Sequence, residues 1–196
     1  MTQDNSQLIF VTGNANKARE VEALLGRPLR TMKGSETDDE AQSMDLEHIA
    51  YRKAQAAYRY AHETLNLRGM VIVEDVSLEL PSWDDLPGPF VRFFLLGEPR
   101  TAHLLQMANR DPERRATAIC CMTLITDRMC DHFIGRCEGR IAQVPRGESA
   151  FGFDPIFVPD GQDLTFAEMT AEAKNAVSHR GIAVRKLKAH LDRLGL

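Results

Sequence analysis

The stretch LIFVTGNANKAREVEALL, Leu8 to Leu25, decides the reading of the fold. Its first residues, Leu8-Ile9-Phe10-Val11, form an unbroken apolar run of strand length. Val21, Leu24 and Leu25 then recur at the spacing of one helix face. A strand that feeds a helix is the opening unit of an α/β protein. The turn between them, Thr12-Gly13-Asn14-Ala15-Asn16-Lys17, carries a hydroxyl, a glycine, two amides and a lysine. A helix start presents backbone N–H groups without intrahelical partners and the positive end of the helix dipole. That combination binds anions by geometry. Gly13 admits close backbone approach, Asn14 and Asn16 offer side-chain donors, and Lys17 adds a point charge. The pattern G-x-x-x-x-G-K-[ST] is absent, so this is not a P-loop. A solvated turn with an asparagine N-cap uses the same residues, and within this segment alone both readings stand.

Outward from that unit, a polar stretch from Thr31 to Asp45 precedes LEHIAYRKAQAAYRYAHE (Leu46 to Glu63), whose apolar spacing predicts a helix. MVIVED (Met70 to Asp75) predicts a second buried strand that ends on two carboxylates. LPSWDDLPGPFVRFFL (Leu80 to Leu95) holds three prolines and a glycine, which predicts a loop turning into helix after Pro89; Thr101 to Ala108 continues as helix. Arg115 to Thr126, Met129 to Ala142 and Phe153 to Pro159 are strand-like. Asp127-Arg128 between the first two predicts an antiparallel hairpin. Ala171 to Leu194 is helical. The order argues for an α/β protein with a mixed sheet rather than a simple parallel doubly wound fold.

The 196 residues carry no internal repeat and suffice for one core-forming domain, read here as a single domain over 1–196. With 43% hydrophobic and 27% charged residues the chain is globular, and a net charge of −4 argues against bulk nucleic-acid or anionic-membrane binding. No apolar run approaches the roughly 20 residues of a membrane span, and MTQDNSQL lacks a signal peptide's features, so a cytoplasmic location is expected. Cys120, Cys121, Cys130 and Cys137 show no CxxC spacing. Cys120-Cys121 fall in an apolar run and read as buried thiols, not as zinc ligands or a disulfide framework.

Three further clusters carry polar chemistry. Glu74-Asp75, at a buried strand, suit Mg²⁺ or a general base, because hard cations take oxygen ligands. Asp38, Asp39 and Glu40 form an acidic run in which the residue types alone pick out none of the three. In SAFGFDPIFVPDG (Ser149 to Gly161), Phe151 and Phe153 flank Gly152 and precede Asp154. An exposed Phe stacks on a nucleobase and an Asp reads its edge, although core packing of both rings is the simpler reading of this segment by itself. KNAVSHRG (Lys174 to Gly181) gathers Lys174, Ser178, His179 and Arg180; the two cations suit phosphate or a base oxygen. No GxSxG elbow accompanies Ser178, which argues against a Ser/His nucleophile. Phosphate donors, metal carboxylates, aromatic rings and cations together describe a nucleotide site with Mg²⁺.

FVTGNANK, VED, LPGPFVRFFL, FGFDPIF, TFAEM and KNAVSHR, in this order from Leu8 to Lys186, resemble the inosine triphosphate pyrophosphatase (HAM1-like) family. The resemblance implies a mixed twisted sheet with flanking helices in two lobes, the active site in the cleft between them, and a homodimer. It implies Mg²⁺-dependent hydrolysis of ITP, dITP and XTP to the monophosphate and pyrophosphate, cleansing the nucleotide pool. By position, Thr12, Gly13, Asn14, Ala15, Asn16 and Lys17 resemble the triphosphate turn, and Lys53 a phosphate-contacting lysine. Glu40 and Asp75 resemble the metal carboxylates, Asp75 being also catalytic with Glu74 beside it. Arg92 stands where relatives carry Lys or Arg. Phe151, Gly152, Phe153 and Asp154 resemble the base pocket, Lys174 a phosphate or base contact, and His179-Arg180 the readers of the purine 6-oxo edge. Val76 departs from the family's Ser or Thr after the Asp, and Ala173 from its Glu. Two other functions fit the same frame: a hydrolase of some other damaged nucleotide, and a nucleotide sensor without turnover.

Overall fold

The computed structural model describes residues 7–34, 41–96, 99–148 and 151–196. Strand β1 (Leu8–Val11) is buried along its whole length and pairs in parallel on both sides. Its neighbours are β2 (Arg30–Met32) and β3 (Met70–Glu79), with Phe10 opposite Thr31 and Ile72. A strand covered on both faces needs apolar residues at every position, which is why Leu8 to Val11 do not alternate. Helix α1 (Ala15–Leu25) follows and buries Ala18, Val21 and Leu25. It stops at Gly26, whose φ of +69° lets its N–H reach the Glu22 carbonyl at 2.9 Å. Helix α2 (Leu46–Arg59) starts at Asp45, whose carboxylate accepts from the Glu47 and His48 N–H groups at 3.0 Å each. It buries Ala50, Ala54 and Ala57 and runs on as a π-helical turn, Tyr60–Thr64. Alanines at those positions let the helix lie close on Val71 and Val73 of β3.

Later in the chain come β4 (Pro87–Gly88), helix α3 (Ala102–Ala108), β5 (Arg115–Ile125), β6 (Cys130–Ile141) and β7 (Phe157–Pro159). Helices α4 (Ala171–Val177) and α5 (His179–Arg193) close the sequence of elements. The strands form a mixed seven-stranded sheet in the order β2-β1-β3-β5-β6-β7, with β4 paired antiparallel to β3. The hairpin predicted around Asp127-Arg128 is present, its turn closed by Thr126 N–H to the Met129 carbonyl at 2.9 Å. The expected α/β class with a mixed sheet and flanking helices is therefore the observed one.

The chain divides into two compact units. The first comprises Met1–Asp75, Cys121–Ile134 and Ala183–Leu196, and the second Val76–Cys120 and Gly135–Ile182. The core of the first joins Ile9, Val11, Val71 and Val73 to the α2 alanines. That of the second joins Leu78, Leu80, Leu104, Phe153, Phe157 and Phe166. Cys120 and Cys121 are buried, and burial pushes the Cys121 thiol up to about 12, so it stays protonated and unreactive at neutral pH. Among the described residues no helix is long and apolar enough to cross a membrane.

Several elements differ from the expectation. β3 does not end on Glu74-Asp75 but continues to Glu79. Its pairing with β1 stops at Ile72, so the carboxylates lie where the neighbouring strand has run out. The helix expected after Pro89 is present as a 3-10 helix, Pro89–Leu95. The strand expected from Phe153 is only Phe157–Pro159. Gly152 has φ of +55°, and the Ile156 and Phe157 N–H groups fold back on the Phe153 carbonyl at 3.0 and 3.1 Å. The tail is two helices because Ser178 is extended (φ −69°, ψ 153°), and its hydroxyl accepts from the Gly181 N–H at 3.1 Å to start α5. β2 was not foreseen: with two of its three residues exposed, it has no hydrophobic signature.

Candidate active site

The turn from Thr12 to Lys17 is built by its own side chains. The Asn14 side-chain oxygen accepts from the Asn16 and Lys17 N–H groups at 2.9 and 3.2 Å. The Thr12 hydroxyl accepts from the Asn14 N–H at 3.0 Å. Two of the amides that opened the anion-site reading are thus already engaged in capping. Among the described residues, the Gly13 and Ala15 N–H groups and the Asn14 side-chain NH₂ stay available as donors. Asn14 is thus the N-cap, and the cap fixes the turn. Its loss in Asn14→Ala should lower stability by about 1 kcal/mol in chemical denaturation.

Beside the turn lies a cavity of ≈ 250 Å³, bounded by Thr12 to Ala15, Ala18 and Thr31 to Lys33. Parallel pairing of β1 and β2 puts these two segments together, and the Thr12 N–H donates to the Met32 carbonyl at 2.8 Å. Thr31 and Lys33 were missed in the sequence because only the pairing with β1 brings them to the turn. The strand signal that would have revealed them is absent from so short and polar a segment.

Consecutive residues of a strand point to opposite faces, and each carboxylate of β3 meets a lysine from a different helix. Lys17 of α1 pairs with the Glu74 carboxylate at 2.7 Å. Lys53 of α2 pairs with Asp75 Oδ1 at 2.7 Å and donates to the Glu74 carbonyl at 2.8 Å. The second carboxylate oxygen of Asp75 is buried and has no hydrogen-bond partner among the described residues. Burial raises the Asp75 pKa above its ordinary value, against the opposing charge and hydrogen bond of Lys53. Glu40, expected as a metal carboxylate, lies outside the described residues, as do Asp38 and Asp39. Among the described residues no group of three or more His, Cys, Asp or Glu side chains is arranged to hold a metal. Val76, the next residue, packs against the apolar core of the second unit.

Within the second unit the Phe151 to Asp154 and Lys174 to Arg180 segments converge. Lys174 pairs with Asp154 at 2.6 Å, and both side chains are largely buried. Its ammonium also lies 5.7 Å from the ring centroids of Phe151 and Phe166, and the Arg180 guanidinium lies 5.7 Å from that of Phe151. His179 and Arg180 are buried at the first turn of α5. The alternative uses of the two phenylalanines divide between them. Phe153 is core, and Phe151 is half-buried with cations on its ring. Arg92 is exposed on the 3-10 helix. The sequence reading missed Phe166 as a site residue, although its motif was noted, because a phenylalanine's ring contacts have no sequence signature.

Comparisons with known proteins show what the chain is similar to. A model of the Ham1 family matches residues 8–190. An inosine triphosphate pyrophosphatase of Trypanosoma cruzi is 38% identical over 188 residues, covering 95% of this chain and 92% of that protein. One from Puccinia graminis f. sp. tritici is 35% identical over 202 residues, covering 95% and 97%. A HAM1 protein of Coxiella burnetii superposes with a TM-score of 0.78 at 26% identity, over 96% of this chain and 99% of that one. A nucleoside-triphosphatase (dITP/XTP pyrophosphatase) of Mycobacterium abscessus superposes with a TM-score of 0.69 at 28% identity, over 92% and 98%.

Proposed function

The chain belongs to the Ham1 family, and from that membership we propose that it hydrolyses ITP, dITP and XTP to the monophosphate and pyrophosphate. It is a nucleoside-triphosphate pyrophosphatase: water attacks the α-phosphorus and pyrophosphate leaves with the bonding electrons. We assign the triphosphate to Thr12–Lys17 and Lys53, and the purine to Phe151–Asp154, Lys174, His179 and Arg180, so that 1–196 works as one catalytic domain. The observation that carries the assignment is the state of Asp75. One oxygen is held by Lys53, and the other is buried and has no hydrogen-bond partner among the described residues. A carboxylate so placed can orient water and accept its proton.

The same oxygen fits a hard divalent cation, which is commonly held by one or two carboxylates plus substrate phosphates. Mg²⁺ would be held by Asp75 and Glu40, and when bound it neutralises triphosphate charge. Lys17 and Lys53 then have a second partner. Each is neutralised by a carboxylate without substrate and stabilises phosphate charge with it. His179 and Arg180 read the 6-oxo group as donors. The 6-amino group of ATP sets donor against donor and leaves buried groups unsatisfied, which rejects ATP. A homodimer is part of the proposal, supported by exposed Phe93 and Leu96 on and beside the 3-10 helix. A cytoplasmic location is supported by four cysteines that form no disulfide among the described residues.

The test is pyrophosphate release from ITP, dITP, XTP, ATP and GTP. The expected result is Mg²⁺-dependent, chelator-sensitive release from ITP, dITP and XTP, with little from ATP. Binding of ITP without turnover would overturn the proposal in favour of a sensor. Cleavage of some other nucleotide alone would overturn the assignment of the purine residues.

A further inference from the structure

Four rings of the second unit form a closed circuit. Phe153 meets Phe157 at 6.0 Å between centroids, Phe157 meets Phe166 at 4.9 Å, Phe166 meets His179 at 5.9 Å, and His179 returns to Phe153 at 5.6 Å. The imidazole is inclined at 30° to Phe166 and at 32° to Phe153. Phe157 and Phe166 are core, whereas Phe153 and His179 are among the residues assigned above to the purine. Phe166 also meets Lys174, another such residue, whose Nζ lies 5.7 Å from its centroid.

We propose that Phe166 is a positioning residue for purine recognition. Its ring sets the plane of the His179 imidazole on one side and the place of the Lys174 ammonium on the other. The inference rests on the assignment of those two residues to the base.

The backbone holds Phe166 for that task. Its N–H donates to the Phe157 carbonyl at 3.0 Å, and the next N–H, of Ala167, donates to the Asp154 carbonyl at 3.1 Å. On the other side, the Thr165 hydroxyl donates to the Arg146 carbonyl at 3.2 Å, and the Thr165 N–H to the Glu168 carboxylate at 2.8 Å. A short turn pinned at both ends fixes the backbone of Phe166, and burial in the core of the second unit, at 2% exposure, fixes its ring. At His179 the Ser178 cap fixes the backbone, and the imidazole is bounded by its neighbours. The flanking rings define its plane, because a flat apolar face admits a flat ring and excludes water. Lys174 has the same need. Its long side chain is flexible, and the Phe166 face and the Asp154 carboxylate hold it at a fixed point.

Phe166→Leu keeps an apolar side chain in the core and removes the flat face. The expected result is a rise in KM for ITP of about tenfold with kcat within about threefold. The ITP-to-ATP ratio of kcat/KM should fall by about tenfold, since a misplaced reader loses discrimination before it loses the phosphate chemistry. Phe166→Tyr, which retains the ring, should restore most of that ratio. Leu104→Ala, in the same core but outside the ring circuit, measures the effect of destabilisation alone and should keep the wild-type ratio. A Phe166→Leu protein with unchanged KM and ratio overturns the inference, as does an equal loss of ratio in Leu104→Ala. If the wild type itself does not prefer ITP to ATP, it is the function proposed above that fails.

Discussion

Asp75→Asn should reduce pyrophosphate release from ITP by about 10³-fold, within the range for loss of a general base, and should raise rather than lower the thermal midpoint of the ligand-free protein. The two effects share one cause. Burial raises the Asp75 pKa first of all, and the charge and hydrogen bond of Lys53 oppose it without cancelling it. The unfolded chain has the ordinary value, so between that value and the raised one the folded protein binds more protons. Stability therefore falls as pH rises through this window, and at neutral pH the ionised carboxylate is a net cost of folding. Asparagine removes the charge. Lys53, left without its ion pair, has a side chain 36% exposed, which keeps its ammonium hydrated. Thermal unfolding at pH 7 and an initial-rate assay on the same sample test both effects. Retained turnover would dismiss Asp75 as the base, and a lowered midpoint would mean the ion pair outweighs the burial.

Lys53 also controls how Asp75 titrates before a cation binds. It is the strongest influence holding the Asp75 carboxyl down. Lys53→Met should therefore raise the Asp75 pKa of the ligand-free protein further, in addition to any loss of rate. Carboxyl NMR titration without Mg²⁺ checks this, and a titration that stays in place when Lys53 is removed would assign it to another group.

What the sequence revealed follows from which forces act locally. The apolar run of β1 and the helical spacing of α1 are set by neighbours in the chain, so Leu8 to Leu25 could be read directly. Glu74-Asp75 stood out because carboxylates at a buried apolar strand are costly, and Lys174 and His179-Arg180 because cations and amides cluster in KNAVSHRG. The pairings could not be found. That Lys17 takes Glu74 and Lys53 takes Asp75 depends on two helices meeting one strand, and no spacing encodes it. β2 and Lys33 were missed because three largely exposed residues become a strand only by hydrogen bonding to β1. The strand drawn from Phe153 failed because positive φ at Gly152 and turn hydrogen bonds overrode an apolar run.

Lys174→Met should cost about 3–5 kcal/mol of stability, the range for removing one partner of a buried ion pair. The pair is short, 2.6 Å, and its side chains are only 14% and 7% exposed. Without the ammonium, the largely buried Asp154 carboxylate loses the cation that lies 2.6 Å away, and little solvent reaches it in exchange. The converse change should cost less. In Asp154→Asn the lysine still lies over the rings of Phe151 and Phe166, whose π faces attract a cation, and the amide is neutral. The double variant should be more stable than Lys174→Met alone, because the charge stranded by the first change is gone. Urea unfolding of the three variants separates these effects. Additive losses would show that the two groups are held by their other contacts rather than by each other. ITP binding should weaken in every variant lacking Lys174, including the stabilised double variant. That last comparison distinguishes a lysine that reads the nucleotide from one that only neutralises Asp154.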